Sequence, residues 1–353
     1  MSATGINKEK IREAVINMFK VNMGVKPGEK VLVVTDFPDS KHWLEYDAEK
    51  LGDIVRRSLL CRTVYEIAKE ELRDSTVEFL VYPCTGRHGV EPPSYVAEKM
   101  KQAQVVVAIT SFSLTHTNAR AEANKAGARV ASMPMFLAEM FEPGGPMAAD
   151  YKYIHESSKK LAEALEGKKT MRVITESGTD ITLSAEGRTW GLDTGILSEP
   201  GAFGNLPAGE LFIAPLEGSA SGKFVVEKGW YPGLEENMVF YVEKGLVVRV
   251  DGGGKVGDYY RELLGLEPKK EGAVYEARRN IAELGIGSNP NARRPDNILE
   301  AEKIKGTIHI AIGDNAHMGG KVEADIHQDF VIPSPDLYAD GVKLIEKGKW
   351  LVE

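Results

Sequence analysis

The chain has 353 residues, 42% of them hydrophobic and 27% charged, which excludes a disordered or fibrous protein and is more than one core of usual size holds. Its net charge of −8, with no long basic run, argues against nucleic acid as a partner. No apolar run approaches the roughly 18 residues of a membrane span and the opening MSATGINKEKIREAV has no signal-peptide core, so a cytoplasmic protein with no membrane partner is expected. Cys61 and Cys84 have no CxxC spacing, so neither a disulfide framework nor a zinc knuckle is indicated.

Residues 8 to 23 place Ile11, Val15, Ile16, Met18, Phe19 and Met23 near helical spacing, and Lys30 to Phe37 reads as a buried strand. A long amphipathic segment from Asp47 to Leu72 precedes a strand at Val77 to Tyr82. Pro92 opens a helix to Gln102, before the apolar strand Val105 to Thr110, a helix from Thr117 to Lys125 and the strand Arg129 to Met133. Strands that are continuously apolar and alternate with helices predict a doubly wound parallel sheet covered on both faces, an N-terminal α/β domain over residues 1–168. No GxGxxG follows the first strand and no GxxxxGK[ST] occurs, which argues against a dinucleotide or P-loop site. The hydroxyls of Thr110 to Asn118 serve better as helix caps than as ligand contacts, with Thr117 the N-cap.

A helix from Asp150 to Glu166 reads as the hinge to a second domain, residues 169–353. There the pattern turns to β, with two alternating runs in Met171 to Arg188 around Ser177-Gly178. Short glycine-punctuated strands follow at Leu211, Gly222, Met238 and Leu246. A mixed α+β, barrel-like domain is expected, interrupted by a helix at Val256 to Leu264 and by the segment Ala273 to Glu283.

The candidate metal ligands lie in this half. Ile308, Ile310 and Ile312 fill one face of a strand and leave His309 on the other; in Asp325-Ile-His-Gln-Asp329, His327 and Asp329 share a face, an imidazole and a carboxylate side by side. Three of the seven histidines fall between Gly306 and Ile332. Glu210 is delivered by a Gly/Pro turn to the start of an apolar strand, and Glu283 is flanked by apolar residues and glycines. A carboxylate in such a setting needs a partner, because desolvating it alone costs several kcal/mol. A metal would be that partner; a salt bridge, or an exposed position at a loop edge, is the other reading.

GNLPAGELFIAP, NIAELGIGSNP, ILEAEKIKGTIHIAIGDN and DIHQDFVI, in that order, resemble the thermophilic leucyl aminopeptidase family, which includes aminopeptidases T and S. The likeness is closest from Thr170 onward. It implies two divalent ions (Zn, Co or Mn) held by Glu210, Glu283, His309, His327 and Asp329, a homodimer, and peptide substrates with a free N-terminus. Where that family has a tyrosine seven residues after the first histidine, this chain has Ala316, followed by His317. Dihydroxypyridine ring-cleaving dioxygenases, built on a similar scaffold at about this length, are the alternative: one Fe(II) on two histidines and an aspartate, around the same His-x-Asp element. A metal-binding relative without activity is a third reading.

The aminopeptidase reading, a metallo-hydrolase, takes its chemistry from paired cations, which lower the pKa of a bridging water toward about 7 and polarise the scissile carbonyl. The bridging ligand is then a carboxylate, Glu283 or Asp329. Catalytic parts fall to Glu283 and to His317, placed to donate to a developing oxyanion or shuttle a proton. Asp325 is expected to orient His327 as an outer hydrogen-bond acceptor.

Overall fold

A computed structural model describes residues 5–352, so the first four residues of the N-terminal stretch discussed above lie outside the described ones. The chain divides into two compact units, the first running to Lys152 and taking in Gly195–Ala208, the second comprising Tyr153–Thr194 and the chain from Gly209 on. This differs from a single boundary after residue 168. The return to the first unit is made by a three-residue strand, Phe203–Asn205, too short to read in a Gly/Pro-rich stretch.

In the first unit, β1 (Lys30–Phe37), β2 (Thr76–Pro83), β3 (Val105–Thr110) and β4 (Arg129–Pro134) form a parallel sheet in the order β2-β1-β3-β4, extended by Phe203–Asn205. Every residue of β3 and β4 is buried, as a sheet covered on both faces requires. Helices α1 (Lys8–Asn17), α2 (Ser40–Glu45), α3 (Ala48–Glu71), α4 (Ser94–Lys101) and α5 (Asn118–Lys125) lie between or before the strands. Leu32, Val34, Val106, Ala108 and Val130 pack with Val96 and Met100 of α4 and Ala119 and Ala123 of α5, while α3 runs against β1, β2 and β3. Thr117 does cap α5, its side chain accepting from the Arg120 amide, a contact of the kind that contributes about 1 kcal/mol. The doubly wound sheet is therefore present.

Helix α6 (Tyr151–Leu165) leads into the second unit, where β5 (Thr170–Ile174) and β6 (Asp180–Ser184) make the expected hairpin. After β7 (Gly191–Asp193), the chain passes through the first unit's short strand, β8, and then runs through β9 (Glu210–Ile213), β10 (Ser221–Val226), β11 (Met238–Glu243) and β12 (Leu246–Gly252). Helices α7 (Gly254–Leu263) and α8 (Ala273–Arg279) precede β13 (Ile281–Gly287), α9 (Ile298–Ala301), β14 (Ile308–Gly313) and β15 (His327–Ile332). Strands β16 (Asp336–Ala339), β17 (Val342–Glu346) and β18 (Lys349–Trp350) finish the unit.

The barrel-like part is built as two antiparallel sheets, ordered β12-β11-β10-β6-β5-β16-β17-β18 and β15-β14-β13-β9-β7. One core fills the space between them, with Phe224 stacked on Phe240 at 4.7 Å and Phe330 of β15 also 4.7 Å from Phe240. Among the described residues no helix is long and apolar enough to cross a membrane.

Candidate metal centre

Alternation decides which side chains of the five-stranded sheet enter the core and which face away from it. Leu211 and Ile213 of β9, Leu284 and Ile286 of β13, Ile308, Ile310 and Ile312 of β14, and Phe330 and Ile332 of β15 are all core residues. Their neighbours Glu210, Glu283, His309, His327 and Asp329 therefore share the opposite face. Ile281 obeys this pattern only because the β13–β14 register slips by one residue between Ile281 and Glu283, a bulge that leaves Ile281 opposite Ile312 and Glu283 opposite Ala311. Of the segment Ala273 to Glu283, expected to interrupt the sheet, α8 does so, while its last residues begin β13, which lies at the sheet's centre between β14 and β9.

Two groups of donor atoms meet at Glu283. Glu210, Glu283 and His309 form one, Glu283, His327 and Asp329 the other, with the donor atoms of each within 4.8 Å of one another. Glu283 Oε1 is 3.2 Å from His309 Nε2 and its Oε2 is 3.1 Å from His327 Nε2. Asp329 Oδ1 lies 3.6 Å from His327 Nε2, and Glu210 Oε2 lies 3.5 Å from His309 Nε2. The structure thus brings together all five residues singled out as ligands.

The chemistry of this set fits a divalent cation. His327 Nδ1 donates to the Asp314 carbonyl at 2.7 Å, which fixes the ring so that Nε2 faces the carboxylates. His309 and Glu210 are buried, and neither His309 Nδ1 nor Glu210 Oε2 makes a hydrogen bond to any described residue. Burial pulls the His309 imidazole down, but its hydrogen bond to Glu283 and the charges of Glu283, Glu210 and Asp329 outweigh burial and raise it to about 9. Burial pushes Glu283 up and the two imidazoles hold it below the usual carboxylate range; His327 is raised by Asp329 and Glu283 against its own desolvation. The imidazoles thus stand among closely packed carboxylates whose negative charge a bound divalent cation would offset.

Three further residues bear on the centre. Asp325 does not orient His327: it is committed to the Arg278 guanidinium at 2.8 and 2.5 Å, and a backbone carbonyl does the orienting. His317 lies beside the centre, with its ring 5.1 Å from that of His327 and Nδ1 2.5 Å from Asp314 Oδ1. Lys303, 1% exposed, places Nζ 2.5 Å from Glu210 Oε1 and 2.9 Å from Glu302 Oε1. In EAEKIKG this lysine looks like any solvated charge, and nothing in the local pattern marks it. Glycine was the readable signal: the face of β13 that carries Glu283 continues as Gly285 and Gly287, leaving space opposite His309 and Glu210.

A sequence profile of the NicX family, 2,5-dihydroxypyridine 5,6-dioxygenase, matches residues 13–352. The chain belongs to this family. It is 24% identical over 257 residues to 2,5-dihydroxypyridine 5,6-dioxygenase of Pseudomonas putida KT2440, covering 68% of this chain and 69% of that protein. The solved structure of the 2,5-dihydroxypyridine dioxygenase from Pseudomonas putida KT2440 is similar with a TM-score of 0.74 and 17% identity, covering 99% of each chain. Wild-type AmpT from Thermus thermophilus is similar with a TM-score of 0.65 and 16% identity over 98% of this chain and all of that one.

These matches overturn the aminopeptidase reading. The chain is a member of a dioxygenase family, and the hydrolase assignment falls with the expectation of peptide substrates. The four ordered motifs mark the sheet that presents the ligands, and that sheet belongs to a scaffold shared with AmpT. They do not specify the reaction run on it.

Proposed function

We propose that the protein is a mononuclear, Fe(II)-dependent ring-cleaving dioxygenase acting on a dihydroxylated pyridine. The observation that carries the reading is the meeting of two imidazoles and an aspartate, His309, His327 and Asp329, around Glu283 in a chain that the dioxygenase family profile spans almost end to end. His327 and Asp329 would hold the ion, with His309 the second imidazole and Glu283 between the two. Two imidazoles and one carboxylate with open positions are the donor set of non-haem Fe(II) oxygenases, and the bound ion supplies the redox-active centre. The reaction joins both atoms of O₂ to the ring as the bond between positions 5 and 6 breaks.

Around that centre the chain handles protons. A hydroxypyridine must lose a hydroxyl proton to become electron-rich enough for oxygen. His317, whose Nδ1 donates to Asp314 and whose ring lies against that of His327, would take it. His317→Ala is expected to keep the ion and to lower kcat at least about tenfold, the small end of a lost acid–base contact. Stopped-flow turnover with an ion count on the same sample checks this; an unchanged kcat and kcat/KM would remove His317 from the mechanism.

The reading itself is tested with an oxygen electrode. Anaerobically loaded Fe(II) protein mixed with 2,5-dihydroxypyridine is expected to consume one O₂ per substrate as the aromatic absorbance disappears. Absence of uptake with this ring, in protein that has bound iron, would overturn it.

A further inference from the structure

We propose that the Lys303 ammonium is a built-in cation standing where a second divalent ion would bind Glu210, and that it limits the centre to one ion per chain. The inference rests on the metal reading above and deepens it. Two overlapping donor groups sharing Glu283, with three carboxylates between them, are what a two-ion site offers. The group containing Glu210 already has its cation. Lys303 Nζ contacts Glu210 Oε1 at 2.5 Å and Glu302 Oε1 at 2.9 Å, in a position from which water is excluded.

The backbone is arranged to deliver this lysine. Glu210 pairs with Gly287 in the β9–β13 ladder, and the segment after α9 crosses directly over that glycine. A Cβ at residue 287 would lie less than 3.0 Å from the carbonyl oxygens of Ile304 and Glu302, so only glycine lets the segment come this close. The Asn289 amide then donates to the Lys303 carbonyl at 2.8 Å, which fixes the main chain from which the ammonium reaches Glu210. Lysine is almost never fully buried without a specific partner, and a buried ion pair contributes little net stability over an apolar pair, so stability does not account for its presence. Its fixed positive charge repels a second divalent ion and occupies one Glu210 oxygen, while the Glu283, His327 and Asp329 side of the centre stays open.

The test is a count of ions. Wild type and Lys303→Met are incubated anaerobically with excess Fe(II), and in parallel with Co(II), freed of unbound metal by gel filtration, and analysed for metal per chain. One ion in wild type and two in Lys303→Met is the expected result, with the Co(II) absorption of the variant showing the second site filling. Should Lys303→Met not accumulate as folded protein, Lys303→Met/Glu302→Gln, which removes the charge and one partner together, is counted instead. A single ion in the folded variant would overturn the proposal and leave the metal reading intact, whereas two ions in wild type would overturn the proposal together with the mononuclear reading. Wild-type protein that retains no ion would overturn the metal reading itself.

Discussion

His327→Ala and Asp329→Ala are each expected to fold and to retain no Fe(II) after gel filtration, with ring cleavage lost in both. Neither side chain belongs to the core, and the strand carrying them is anchored by Phe330 and Ile332 on its other face. Each removes a donor atom, so the loss of ion affinity should exceed the roughly 10–100-fold that follows when an outer partner of a ligand is deleted. Thermal melts provide the second readout. At about a hundredfold excess of ion over its Kd, wild type gains roughly 2.7 kcal/mol by mass action, and the two variants should gain nothing. A variant that keeps the wild-type ion count and the ion-dependent rise in Tm would show that the ligands lie elsewhere.

Gly285→Ala is expected to disable the centre without altering a single polar atom. A Cβ there would stand less than 3.0 Å from Nε2, Cε1 and Cδ2 of His309, across the β13–β14 pair in which the two residues face each other. The imidazole is 1% exposed and has no room to retreat, so its ring must swing away from Glu283 or the strands must part. Overpacking of this kind costs about 1–3 kcal/mol, and displacement of His309 should lower ion affinity at least about tenfold. Gly285→Ala/His309→Ala separates the two effects: removing the ring should restore the lost stability but not the ion. If Gly285→Ala bound Fe(II) as wild type does, the position of His309 in the centre would be wrong.

Where side chains obey a simple period, the centre was legible. Ile308, Ile310 and Ile312 announce the buried face of β14 and so place His309 opposite, and His327 and Asp329 follow from the same rule. Glu283 was legible as a residue but not as a strand position, because a one-residue register slip in β13 sets which way it points, and bulges leave no period to read. Lys303 was not legible, since its partner Glu210 lies on a distant strand and only the fold brings them together. That omission had a consequence for chemistry: a buried Glu210 without a known partner argues for a second metal, and the ammonium removes the argument. The four parallel strands of the first unit and the helices α1, α3, α4 and α5 were readable, whereas the short helix α2 and the division between units were not, the latter because β8 joins its sheet through three residues only.

Motif order identified a scaffold and not a chemistry, so the reaction has to be read from oxygen itself. Isotope labelling tests this most directly. Fe(II)-loaded protein turning over 2,5-dihydroxypyridine under ¹⁸O₂ in unlabelled water is predicted to place both labelled atoms in the ring-opened product, with a yield that follows bound iron. No incorporation from ¹⁸O₂, with label entering only from H₂¹⁸O, would contradict the account.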